Sequence, residues 1–140
     1  LSGKYAEALN DINTELAAFS KKKVRLTLDQ IKDFYASQAY YTPTKPTPKK
    51  ALNPLFEIEK TTQEPLLQCI LQLRRILTIH EGFRLQDVKR YGITMYRRQV
   101  DERSNVTALT DSMKVGDPRL AIQLPQDVIS AGITANPRNK

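Results

Sequence analysis

Cys69 and His80 are the only cysteine and the only histidine in this 140-residue chain. A cysteine–histidine nucleophile needs the two side chains within hydrogen-bond reach. Here they lie eleven residues apart on one expected helix, which separates them by about 16 Å of rise. One histidine rules out an all-histidine metal site and leaves little for acid–base work near neutrality. The five glycines are scattered, so no glycine-rich loop cradles a phosphate. The carboxylates are dispersed, and Glu57, Glu59, Asp101 and Glu102 read as surface. These absences argue against an enzyme. No catalytic residue, cofactor or metal ligand is expected.

The chemistry left to the chain is that of its cations. Lysine and arginine number 22 against 15 acids, a net charge of +7. Such an excess suits an acidic partner: nucleic acid, an anionic membrane surface or an acidic protein. The plain alternative is solubility.

The cations fall in three groups. Lys21, Lys22, Lys23 and Arg25 follow the first expected helix, as a solvated helix end or as a phosphate clamp. Lys45, Lys49 and Lys50 lie in a proline-rich stretch, as part of a spacer or as an arm along a phosphate backbone. Tyr40 and Tyr41 just before it either stack on bases or close a core. The third group is Arg84, Lys89, Arg90, Tyr96, Arg97, Arg98 and Arg103. There, Leu85 to Tyr91 reads as a short helix and Gly92 as a turn. Thr94 reads as the N-cap of a second helix running to about Arg103. That is the outline of a helix-turn-helix, and arginine grips guanine edges or phosphates. The fit is loose, with Val88 where a small residue belongs and Arg98 in a slot usually buried. A short αα-corner with solvated arginines accounts for the segment as well.

The elements that must hold these groups are expected to be helical. Tyr5, Leu9, Ile12, Leu16 and Phe19 recur in steps of four and three, a narrow amphipathic seam. Thr27 to Gln30 fits a capping box, and the helix it opens runs to about Tyr41. Residues 42–54 hold four prolines and three lysines with no acid, an extended basic linker. Thr61 to Glu64 is a second capping-box pattern, opening the most apolar run of the chain, which ends at Gly82. Leu66, Ile70, Leu73 and Leu77 share one face of that helix, widened by Leu67, Leu71, Ile76 and Ile79, with Gln68, Gln72 and Arg75 on its polar side. Val106, Leu109 and Met113 mark another short helix. Leu120, Ile122 and Leu124 alternate as a strand-like stretch, and Val128, Ile129 and Ile133 follow in the tail.

The expected fold is therefore all-α. A helical hairpin (1–41) precedes the linker (42–54), a helical core module around a buried central helix (55–116) and an extended tail (117–140). The hairpin, beyond its linker, need not touch the central helix. The expected function is a basic, non-enzymatic module binding nucleic acid mainly through phosphates, with helix-turn-helix character. The alternative is a structural or adaptor subunit of a larger nucleoprotein assembly, docking through linker, hairpin and tail. No apolar run approaches the ~18 residues of a membrane span. A single cysteine on an apolar face suits a reducing, intracellular compartment, cytoplasmic or within a nucleoprotein or viral assembly. Leu1 reads as a processed or truncated start, and Glu7, Asp11 and Glu15 fit neither a signal nor a transit peptide.

Overall fold

Leu66 and Leu67 are neighbours in sequence but pack into different cores. Both lie on α3 (Gln63–Leu77), which runs between two apolar clusters of a computed structural model describing residues 3–138. One cluster joins Leu66 and Cys69 to Ile12 of α1 (Tyr5–Phe19) and to Ile31 and Tyr35 of α2 (Leu28–Ser37). The other joins Leu67 and Leu71 to Leu52, Ile93, Leu120 and Val88 of α4 (Arg84–Tyr91). The wide apolar girth of α3 thus serves two sides at once. The expectation that the N-terminal hairpin need not touch this helix is overturned, because the hairpin supplies one of its two cores.

Local chemistry explains most helix limits. The Thr27 capping box forms: Gln30 N–H donates to Thr27 Oγ1 at 3.2 Å and Thr27 N–H to Gln30 Oε1 at 2.9 Å. Asn13 then clips α1 to the approach of α2, accepting from Leu26 N–H at 2.7 Å and donating to its carbonyl at 2.9 Å. α2 stops at Ser37, short of Tyr41.

The second expected box does not form. Glu59 replaces it, its carboxylate accepting from the N–H groups of Thr62 at 2.8 Å and Gln63 at 2.9 Å. Gln63 Oε1 accepts from Glu59 N–H in return at 2.9 Å. Glu64 is instead buried, held by the Tyr40 hydroxyl at 2.8 Å and Lys60 at 3.1 Å. α3 ends at Leu77, so His80 lies beyond it and not on the same helix as Cys69.

The fold is not all-α. Residues expected as the second helix of a helix-turn-helix, and the helix after it, form an antiparallel hairpin of β1 (Met95–Val100) and β2 (Val106–Met113). Met95 faces Met113 and Val100 faces Val106, with irregularities after Arg97 and Gln99. Gly92, at φ +59, ends α4 in the left-handed region, and Ile93, Thr94, Tyr96, Val100, Val106, Thr107 and Thr110 are the β-branched and aromatic residues that strands favour. Asp101 closes the hairpin by accepting from the N–H groups of Arg103 at 2.9 Å and Asn105 at 2.8 Å. No recognition helix exists here, and Thr94 caps nothing.

The linker is hydrogen-bonded to the body, and the tail joins its core through Leu120. Tyr41 N–H donates to the Lys49 carbonyl at 2.8 Å, and Asn53 N–H to the Tyr91 carbonyl at 2.9 Å. The expected strand at 120–124 is a 3-10 turn, Pro118–Leu120, that buries Leu120, and α5 (Gln126–Ser130) follows. Among the described residues no helix is long and apolar enough to cross a membrane.

A candidate cationic cleft

Gln68, Gln72 and Arg75 follow one another by about a helical turn along α3, a polar stripe within its apolar girth. Gln68 is buried, 2% exposed, and not at the surface as a polar face would place it. Its side chain takes both main-chain groups of Lys50, accepting from the N–H at 3.0 Å and donating to the carbonyl at 2.5 Å. That pairing seats residues 47–50 against α3 and sends the Lys50 side chain toward Arg75. A cleft of about 650 Å³ opens there, walled by residues 41–50, α3, Arg84 of α4 and residues 93–98.

Four cations line it, Lys50, Arg75, Arg84 and Arg98, and no acid does. Among the described residues none of the four has a carboxylate within ion-pair distance. Arg74, next along α3, is by contrast neutralised by the buried Asp87 at 3.3 Å. The crowding has an electrostatic signature. Burial first, then Arg75, Arg84 and Arg98, pull the Lys50 ammonium down to about 8. Burial and Arg75 likewise lower the Arg84 guanidinium, with Asp87 and Tyr41 acting the other way. Such a site is short of negative charge.

The four cations are not equivalent. Arg98 spends its fork on the chain itself: Nε donates to the Pro43 carbonyl, one terminal nitrogen to the Tyr41 hydroxyl and the other to the Thr42 carbonyl at 3.0 Å. It also lies over the Tyr41 ring, 4.4 Å from its centre, and Tyr41 stacks on Tyr96 at 5.7 Å. Arg98 therefore braces the wall. Lys50 gives one proton to the Thr47 carbonyl at 2.6 Å and rests 3.4 Å above Tyr41. It has two donors left. Arg75 and Arg84 make no hydrogen bond to the protein among the described residues and keep all of theirs.

Of the residues expected from sequence to contact nucleic acid, the cleft gathers Lys50, Arg84, Tyr96 and Arg98. Lys49 turns inward, its ammonium on the Tyr35 carbonyl at 2.8 Å and over Tyr40. Lys45 is exposed on the linker turn, Lys89 and Arg90 on α4, Arg97 on β1, and Arg103 in the hairpin turn. Lys21, Lys22, Lys23 and Arg25 are exposed between α1 and α2, and none of these outlying cations lines the cleft. Arg75 belongs to the site and was not in that expected set, and Tyr41, expected either to stack on bases or to close a core, lines the cleft. The signal for Arg75 was its spacing from Gln68 and Gln72. Cys69 takes no part: it packs with Ile12, Ile31 and Tyr35, and burial pushes its thiol up, away from reactivity. The chain matches no family model, no curated protein and no solved structure.

Proposed function

We propose that this protein binds nucleic acid through phosphate contacts centred on the cleft. The observation that carries the reading is the convergence of Lys50, Arg75, Arg84 and Arg98 in one concavity without a carboxylate. Four cations kept together in a half-dry site repel one another, and an anionic ligand relieves that repulsion. Phosphate recognition by arginine and lysine is indifferent to base sequence, so binding is expected to be sequence-tolerant. The exposed cations outside the cleft, Lys89, Arg90, Arg97 and Arg103 among them, extend the field that draws a polyanion in. A reducing intracellular compartment belongs to the same reading, supported by the single free thiol.

The test is anisotropy of a labelled single strand and a labelled duplex, titrated with the full chain at several salt concentrations. Three neutralised phosphates predict a log–log slope of about −2 on a single strand. Absence of binding to either form at low salt sinks the reading.

A second reading has its own observation. Ile76 and Ile79 are 58% and 71% exposed near the end of α3, with Phe83 close behind them in sequence. Exposed apolar side chains this close in sequence suit a structural or adaptor subunit that docks on another protein, an acidic one given the charge. Light scattering at low salt separates the two: a mass that rises on adding nucleic acid favours the first reading, and a mass that nucleic acid leaves unchanged favours the adaptor.

A further inference from the structure

The outlying cations are exposed and line no part of the cleft, but Lys50, Arg75 and Arg84 all line it. We propose that the cleft is a subsite for the terminal phosphate of a nucleic-acid strand, a phosphomonoester and not an internal phosphodiester. This rests on the nucleic-acid reading above and sharpens it.

Shape gives the first argument. A cleft of about 650 Å³ is the size of a pocket for one small ligand. The segment from Tyr41 to Lys50 forms one of its walls and is tied down at both ends. Tyr41 N–H donates to Lys49, Thr47 Oγ1 to the Ala39 carbonyl at 2.9 Å, and Gln68 holds Lys50. A strand end needs only to enter such a pocket, whereas an internal phosphate brings two flanking nucleotides that must also leave.

Charge gives the second. A phosphodiester carries one negative charge, while a monoester near neutrality carries close to two and offers three terminal oxygens. Arg75 and Arg84 keep all their side-chain donors and Lys50 keeps two, and the charge of the three together exceeds what one diester neutralises. Their crowding is relieved in proportion to the charge brought in. Arg98, fixed by a hydrogen bond from each of its three nitrogens to Pro43, Tyr41 and Thr42, chiefly positions the wall.

The aromatic pair gives the third. Tyr41 is already engaged by Tyr96, Lys50 and Arg98, so it offers no open platform on which bases would be read. What the cleft has to offer is donors for an anion. Recognition of a phosphate end without regard to the base follows.

The experiment uses the full chain and three versions of one short oligonucleotide, phosphorylated at one terminus, at the other, or at neither. Each competes against a labelled unphosphorylated strand near neutral pH and about 0.15 M salt. A terminal phosphate is expected to tighten binding by about tenfold at one terminus or both. Arg84→Gln and Arg75→Gln, each checked for folding by circular dichroism, are expected to reduce that preference to less than about threefold. Equal affinity for all three oligonucleotides overturns the terminal-phosphate subsite and leaves general nucleic-acid binding standing. Failure of all three to bind overturns both. A preference that survives both substitutions also overturns the inference, because the phosphate then sits elsewhere.

Discussion

Gln68 holds Lys50 by both main-chain polar groups, from a side chain that is 2% exposed. A primary amide is the one neutral side chain that offers a donor and an acceptor side by side, so it substitutes for a strand neighbour. Replacing it with an apolar isostere leaves an N–H and a carbonyl without partners. Gln68→Leu is expected to lower unfolding free energy by about 2–4 kcal/mol, read from denaturant midpoints. Anion affinity falls with it, because the loosened segment carries Lys50. Gln72→Ala, half-exposed and on the same face, is expected to change stability by less than about 0.5 kcal/mol.

Gly92 is a site where no side chain fits. Its φ is +59, and a Cβ there would meet the Asn53 carbonyl oxygen at 2.1 Å, a backbone atom that cannot step aside. Asn53 itself is bonded to Tyr91, so the approach is fixed from both sides. Gly92→Ala adds a steric clash to a left-handed conformation that alone disfavours alanine by about 1–2 kcal/mol. The expected loss, measured by urea unfolding, exceeds that figure.

Lys50 supplies a dependence on alkaline pH. Its ammonium sits at about 8 in the folded chain against an ordinary 10.5. Between those values the unfolded chain holds the extra proton, so this residue makes stability rise as pH increases from about 8 toward 10.5. If the cleft binds an anion as proposed, that binding is expected to run the opposite way, weakening as pH climbs through 8 and the ammonium discharges. Lys50→Met is expected to leave the melting temperature near neutrality unchanged or raised while lowering affinity and flattening its pH profile between 7 and 9. A melting temperature several degrees lower contradicts the electrostatic account.

Glu59 governs the acid side. The Thr61 hydroxyl first, then the N–H groups of Gln63, Thr61 and Thr62, hold its carboxyl at about 2 against an ordinary 4.5. The depressed value means that its contribution is complete above about 4.5 and is lost as pH falls toward 2. Acid unfolding of Glu59→Gln is expected to show a shallower fall through that window. An acid limb superimposable on that of the parent protein rules the cap out as a source of stability.

Arg119 ties β2 to the tail. Its guanidinium pairs with Asp117 at 2.7 Å and with Asp111, and donates to the Ser112 carbonyl at 2.9 Å. Those bonds to Asp117 and then Asp111 raise its proton affinity. Lysine presents one point charge in place of the fork, so Arg119→Lys is not conservative here. Hydrogen exchange is expected to quicken over residues 111–124 in that variant and to stay unchanged over α1 and α2.

Several elements were legible in the residues alone because their signals are local. The Thr27 box, the seam of α1 and the apolar run of α3 each depend on side chains within a few positions of one another. What misled was chemistry at longer range. Gly92 does end a helix, but residues 93–113 pair across Asp101 to Asn105, and the apolar spacing of Val106, Leu109 and Met113 suits a short helix as readily as a strand. Gln68 reads as surface until Lys50, eighteen positions earlier, is laid against it. The cations of the cleft were recognisable as cations, but only the fold shows that the Arg98 side chain is bonded to the chain through all three nitrogens and that the Arg75 side chain is not. The linker composition is that of a spacer, and Leu52, packed in the core, and Asn53, bonded to Tyr91, nonetheless tie it to the body.

The walls of the cleft come from residues 41–50, from Gln72, Arg75 and Arg84, and from residues 93–98. Residues 93–98 come last among these in the chain, so the concavity is complete only once β1 is made and docked. An anion gripped by Lys50, Arg75 and Arg84 would tie the linker to α3 and α4 behind that last wall. Any ligand of the cleft is in this sense also a reporter of complete folding, raising thermal stability in step with its free concentration.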